Sequence, residues 1–235
     1  MPLQFGSSYC FSDFRLWARH FAGPIYLPPE GRSILTHLRS NGPLAFLDVL
    51  QRFADIGSPW AAATLAYIHL YPSRGPRRNP ERAISVCERT AQAGDAYSQF
   101  VLAWALRLSG RKSRAIAWMK SASVQQFPPA ALDLTRFVWN GWGLTAADPW
   151  GAVRMLKYAK SLHHRGTLSL RCAYFKTGRL GWPWTLIGNC VAPIAVIRHG
   201  TGLLLDPFSA ENLLFDPQAD YALLKSCACH SDRGL

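Results

Sequence analysis

Arg114-Ala-Ile-Ala-Trp-Met-Lys-Ser-Ala122 places Ala115, Trp118 and Ala122 at spacings of three and then four, on a single helical face. Small side chains at both ends of that face let a neighbouring backbone approach the central aromatic. The same face returns upstream as Ala83, Val86 and Thr90 and downstream as Ala152, Met155 and Ala159. A small, large, small stripe needs another helix against it, and a chain that repeats the stripe builds a stacked helical array rather than one closed core.

The register is counted from the small residue opening each first helix: Ala62, Ser98, Ala130 and Thr167, in steps of 36, 32 and 37. In the first unit Ala62, Ala66 and Leu70 lead through a turn at Ser73–Asn79 into a second helix from Pro80 to Ala93, closed by Gly94. Proline opens a helix because its missing N–H is not needed there, and glycine ends one because it accepts positive φ. The second unit carries Ser98, Leu102 and Leu106, and its turn, Ser109–Ser113, is four residues shorter. The third runs from Ala130, Leu134 and Val138 through Gly141-Trp-Gly-Leu144 to Asp148-Pro149 and a helix reaching His163. Thr167, Arg171 and Phe175 begin a fourth unit that fades at Gly178. Counting back 36 residues, Leu47, Leu50 and Ala54 fit the second helix of a preceding half unit.

These residues resemble Sel1-like repeats, relatives of the tetratricopeptide repeats, over roughly Pro43 to Gly178. The third unit supplies Ala130, Leu134, Gly141, Gly143, Leu144, Asp148, Ala152 and Ala159; the second Leu102, Ala115, Trp118 and Ala122; the first Ala62, Gly75, Ala83 and Gly94. It is a divergent example: Leu70, Leu106, Val138 and Phe175 stand where the family has Tyr, Asn79 replaces Asp, and the second turn is truncated. The resemblance implies an all-α fold, a right-handed α-solenoid of stacked helix-turn-helix units, and most often a scaffold or adaptor that binds other proteins. The expected organisation is a non-repeat segment over 1–42, a repeat array over 43–181, and an apolar cap and tail over 182–235. The array is a half, three whole and a half repeat, with five to nine helices between Pro43 and about Ile197 and almost no strand.

Outside the array the sequence is less regular. Ser12–Phe21 and Ser33–Arg39 read as short helices divided by an extended connector through Pro28-Pro29. Trp182–Ile197 carries no charged residue, is too short and too often broken by Pro183, Gly188, Asn189 and Pro193 for a spanning helix, and reads as a cap over the last repeat. A membrane-contacting segment is the alternative. Leu203–Leu205, Phe208–Phe215 and Pro217–Lys225 suggest further short helices.

The net charge of +12 is unevenly divided. Lys and Arg outnumber Asp and Glu ten to three over 58–126 and seven to two over 127–178, but stand at five to four over 1–57 and four to five over 179–235. A basic surface of this kind favours anionic partners. An acidic or peptide-like protein comes first, then an anionic membrane; no nucleic-acid motif is present, and charge alone leaves nucleic acid open. Met1–His20 lacks the basic start, apolar run and cleavage site of a signal peptide, which points to the cytoplasm, with peripheral membrane association as the alternative. Six cysteines without regular spacing read as reduced thiols.

Motifs for chemistry are weak. Gly141-x-Gly143-x-x-Ala146 has dinucleotide-like spacing, but it follows a helix rather than a strand, and the repeat register explains both glycines as turn residues. Cys227-Ala-Cys229-His230 lacks the spacing and second pair of a structural zinc site, and His163-His164 suits a helix C-terminus. With no Gly-x-Ser-x-Gly, His-Glu-x-x-His or paired-carboxylate pattern, no catalytic, cofactor or metal residue is expected and the chain reads as a non-enzyme; a hydrolase with an unrecognised site is the least favoured reading.

The candidate partner-binding residues follow from the array. Turns between first and second helices fall on one edge of a stacked repeat, so Arg74, Arg77 and Arg78 should align with Arg107, Arg111, Lys112 and Arg114, and with Lys176 and Arg179, as a basic rim. Trp142, held between two turn glycines, is the candidate aromatic anchor. Trp118 is expected in the core.

Overall fold

The computed structural model of the protein describes residues 48–70, 79–162 and 167–205. The readings made above for the segment before residue 48, for Arg74, Arg77 and Arg78, for His163-His164 and for everything after Leu205 lie outside the described residues.

Short polar and glycine signals divide the chain into helices. After helical residues 48–55 come α1 (Pro59–Leu70), α2 (Pro80–Gln92), α3 (Ala96–Leu108), α4 (Lys112–Val124), α5 (Pro128–Asn140), α6 (Pro149–Ser161), α7 (Thr167–Lys176) and α8 (Trp182–Leu205). No strand occurs among the described residues. Asn79, Asp95 and Asp148 each accept a backbone N–H three residues on, at 2.9, 2.7 and 2.7 Å, which satisfies one of the donors a helix start leaves open. Asn79 therefore does the work of the aspartate it replaces. α4 has no side-chain cap; its start follows Gly110, whose φ of 85° turns the chain in the space of the truncated turn.

Each helix packs on the next, and α1 also packs on α3. First and second helices differ in how they are covered. Every residue from Tyr97 to Leu106 of α3 is buried, as is every residue from Trp60 to Tyr67 of α1. Their near-continuous apolar sequence answers to burial on all sides. The second helices are buried along one stripe only, and the stripe differs from the expected one. Its large, fully covered residues are Cys87, Met119 and Leu156, one position after Val86, Trp118 and Met155, which are half-buried against the margin of the core. Seen from the midpoint between Ala115 and Ala122, positions 118 and 119 lie about 50° to either side, so spacing alone could not choose between them. The burial of Ile84, Ala91, Ile116 and Ser123 shows the side on which the first helices lie.

Side-chain bonds between units fix their stacking. Ser98 Oγ donates to the carbonyl of Pro59 at 3.3 Å, and Gln125 donates to Gln99 at 2.7 Å, which in turn donates to the Ala91 carbonyl at 3.1 Å. Arg89 reaches the Ala54 carbonyl and Tyr158 the Ser123 carbonyl, each across 35 residues. The turn after α5 is tied down in the same way. Gly141 and Gly143 have φ of 67° and 76°, and a Cβ on Gly143 would collide with the backbone carbonyl of Lys112. These glycines bring the turn against the start of α4, so the backbone at Gly143 faces protein and not a ligand.

α8 corrects the reading of 182–205 as a broken segment followed by a short helix. It is one helix of 24 residues with Pro193 inside. It lies against α7 at Gly188, where a Cβ would come within 2.8 Å of Phe175 Cβ and 3.0 Å of the Cys172 carbonyl. Gly188, expected to break the helix, instead allows it to pack. Among the described residues no helix is long and apolar enough to cross a membrane.

Candidate interaction surface

The starts of successive second helices lie side by side. Glu81, in the first turn of α2, and Arg111, just before α4, are 30 residues apart in sequence and 2.9 Å apart in space. Arg114, about one turn after Arg111, meets Glu88, two turns after Glu81, at 3.0 Å. Lys112 is exposed between the two arginines. The edge therefore carries acids as well as cations, and Glu81 and Glu88 interrupt the continuous basic rim expected from Arg and Lys positions alone. The acids were visible in the sequence; what was missing was the lateral offset that brings one helix's first turns against the next helix's cations.

Arg107 stands apart from that edge. Its guanidinium lies 3.5 Å from the ring centroid of Trp142 and 5.1 Å from that of Trp104. Trp142 in turn packs edge-on to Phe137 and Trp104, at 5.4 and 6.1 Å between centroids. The turn tryptophan thus folds back on its own repeat, and its cation–π contact with Arg107 joins α3 to the turn after α5. Arg179 is used similarly at the next turn, donating to the Trp139 carbonyl at 3.2 Å, with its guanidinium 5.7 Å from that ring. Lys176 is exposed.

A buried polar tie, not singled out in the sequence, lies between α3 and α5. Asp133 accepts the indole N–H of Trp104 at 2.9 Å and a guanidinium N–H of Arg136 at 3.2 Å. An aspartate inside the apolar run Ala130–Phe137 was the available signal, because a carboxylate in that place requires donors around it. Nearby, the hydroxyls of Thr135 and Tyr174 lie 3.0 Å apart, and Tyr174 stacks on Trp139 at 4.1 Å.

Burial shifts one histidine and two cysteines. Burial, assisted by the charge of Arg82, pushes His69 down to about 4, so it is neutral at physiological pH. Burial raises the Cys87 thiol well beyond its ordinary range, and its Sγ lies 3.0 Å from the Ala83 carbonyl; Cys172 is also raised by burial. A thiol so shifted is a poor nucleophile. Among the described residues no group of three or more His, Cys, Asp or Glu is placed to hold a metal.

Paired helices stacked at a repeat of 32 to 37 residues define an all-α solenoid with the fold of Sel1-like repeats. Two solved structures are similar to it. One is a Sel1 repeat protein from Oxalobacter formigenes, 20% identical, with a TM-score of 0.49 over 73% of this chain and 48% of that one. The other is c5321, a protective antigen present in uropathogenic Escherichia coli strains and displaying an SLR fold, 19% identical, with a TM-score of 0.51 over 79% of this chain and 44% of that one. The chain spans less than half the length of either. No protein-family model and no curated protein matches it.

Proposed function

We propose that the protein is a non-enzymatic interaction scaffold that receives an acidic or peptide-like protein segment along the edge formed by its second-helix starts. The observation that carries this reading is the alignment of Arg111, Lys112 and Arg114 with the preceding second helix, which gathers cations from an exposed turn onto one side of the stack. Exposed ion pairs of this kind are weak enough for a partner's carboxylates to exchange into them. Asp133 and Tyr174 are occupied in bonds between helices and Cys87 bonds within its own helix, so the hydrolase reading gains no support from them. A second reading, favoured by the exposed apolar residues of α8, adds peripheral attachment to an anionic membrane.

Native pull-down from a lysate tests the first reading, with the full chain compared against a variant carrying Arg77→Glu, Arg78→Glu, Arg111→Glu and Lys112→Glu. An acidic protein recovered by the wild type, more strongly at low salt, and lost with the variant is the expected result. Equal recovery by both would remove the edge from the interface. Turnover in a hydrolase screen that one polar substitution abolishes would replace the scaffold reading altogether.

A further inference from the structure

At the far end of the array the surface changes. α8 packs on α7 through Trp184 and Gly188, and the opposite side of the helix is open: Trp182 is 78% exposed, Leu186 58%, Ile187 44% and Ile194 62%. At 100° per residue these positions and exposed Cys190 lie within an arc of about 140°, which contains no charged side chain. In the first turn of α8, on the side that faces α7, is a corner of tryptophans. Trp150, at the start of α6 and 45% exposed, meets Trp184 edge-on at 5.6 Å, and Trp184 packs against Phe175 at 5.0 Å. Exposed cations lie close in sequence to that corner: Arg154 comes one turn after Trp150, Lys176 follows Phe175, and Arg179 precedes Trp182 by three residues.

Among the described residues from 149 to 205 every Lys, Arg, Asp or Glu is a cation. From residue 149 to residue 205 the sequence holds eight Lys or Arg and no Asp or Glu. Apart from the Arg154–Asp148 contact at 3.7 Å, the pairing of cations with acids seen between α2 and α4 does not continue here among the described residues.

We propose that the exposed arc of α8 and the tryptophan corner beside it form a seat for the surface of an anionic lipid bilayer. This deepens the membrane reading given above and rests on it, but moves the contact away from Arg111 and Lys112 to α6, α7 and α8. Three observations choose a bilayer as the occupant. Indole rings favour the boundary between headgroups and acyl chains, where Trp150 and Trp182 would lie, with the aliphatic residues of α8 reaching just below. The exposed cations Arg154, Lys157, Lys160, Arg171 and Lys176 suit acidic headgroups and would strengthen the attachment. A second copy of the chain fits less well. A symmetric contact through α8 would bring two surfaces of the same sign within about one Debye length, roughly 10 Å, of each other. The helix lies on the bilayer rather than across it, since it is not apolar enough to span and its inner side is committed to α7.

Flotation of the full chain with vesicles tests the proposal, using phosphatidylcholine alone and phosphatidylcholine with about one third phosphatidylserine, at low and physiological salt. Two variants are compared with wild type: Leu186→Ser with Ile194→Ser, and Lys157→Glu with Lys160→Glu and Lys176→Glu. All five sites are exposed, and circular dichroism checks that the helices are retained. Wild type should float with the phosphatidylserine vesicles, at least tenfold more than with phosphatidylcholine at low salt, and each variant should lose most of that binding. Absence of wild-type flotation at both salts overturns the proposal together with the membrane reading. Flotation that survives both variants but is lost in Arg111→Glu with Lys112→Glu overturns the proposal and leaves the membrane reading standing. A concentration-dependent dimer in light scattering that Leu186→Ser with Ile194→Ser dissolves, without flotation, assigns the arc to a second copy instead. Capture of an acidic soluble protein by this face, without flotation, likewise overturns it.

Discussion

From α1 to α5 the acids Glu81, Glu88 and Asp133 each meet a cation, whereas from α6 to α8 cations and tryptophans stand at the surface. Glu81 and Glu88 take up Arg111 and Arg114, and Asp133 takes up Arg136 and Trp104. Beyond Pro149 the bonds between units are to carbonyls and hydroxyls, from Tyr158 to Ser123, between Tyr174 and Thr135 and from Arg179 to Trp139, and packing adds the Trp139–Tyr174 stack, the Trp184–Phe175 pair and the glycine crossing of α8. One repeat geometry therefore serves two ends of the chain that differ in what they leave for the surroundings. In the first region acids take up cations; in the second most cations are directed outward.

The largest effect is expected where polarity is buried. Asp133→Ala removes the shared acceptor of the Trp104 indole and the Arg136 guanidinium, in a place where the carboxylate is almost wholly covered. A loss of about 3 kcal/mol or more in urea unfolding is expected, since breaking a buried charged network costs that much. A loss below about 1 kcal/mol, the scale of a single ordinary hydrogen bond, would mean that aromatic packing alone holds α3 to α5, and the contrast between the two regions would disappear.

A smaller effect is expected at the packed end. Gly188→Leu forces a side chain against Phe175 and the Cys172 carbonyl and should cost about 1 to 3 kcal/mol through overpacking. Because α8 touches the array through α7, the damage should be local. Amide exchange should quicken over 184–194 and stay unchanged in α3 and α5. Equal quickening in α3 would show that the two regions unfold as one unit.

How much of this was legible in the sequence depends on whether a feature is periodic. The helix pairs, the caps at Asn79 and Asp148 and the turn glycines Gly141 and Gly143 repeat with the array, and the structure places them as the register requires. The choice between Trp118 and Met119 was not legible, because both positions are equally distant from the stripe's small residues and only the neighbour's direction separates them. Nor was the pairing of Arg111 with Glu81, which depends on how far one unit is displaced against the next. Trp150 and Trp184 are 34 residues apart and belong to different kinds of segment, so no local pattern announces that they touch. For the same reason the sequence offers only cations at turns, and the pairing of Glu81 and Glu88 with them and the Trp150–Trp184 contact needed the fold.

The smallest effect is expected at the exposed edge, and it bears on whether that edge is free to bind. Arg111 and Glu81 retain 43% and 60% of their side-chain exposure, so water and ions compete for both charges. A double-mutant cycle of Arg111→Ala and Glu81→Ala should give a coupling of about 0.2 to 1 kcal/mol, shrinking toward zero in about 1 M salt. A pair this weak orders two side chains without committing them, so a partner's carboxylate could displace Glu81 at little cost while the stack stays intact. A salt-resistant coupling of about 2 kcal/mol or more would instead make Arg111–Glu81 a structural tie like Asp133–Arg136. The edge would then belong to the same self-satisfied region as the core beneath it, and only the end formed by α6, α7 and α8 would be left with charge to offer.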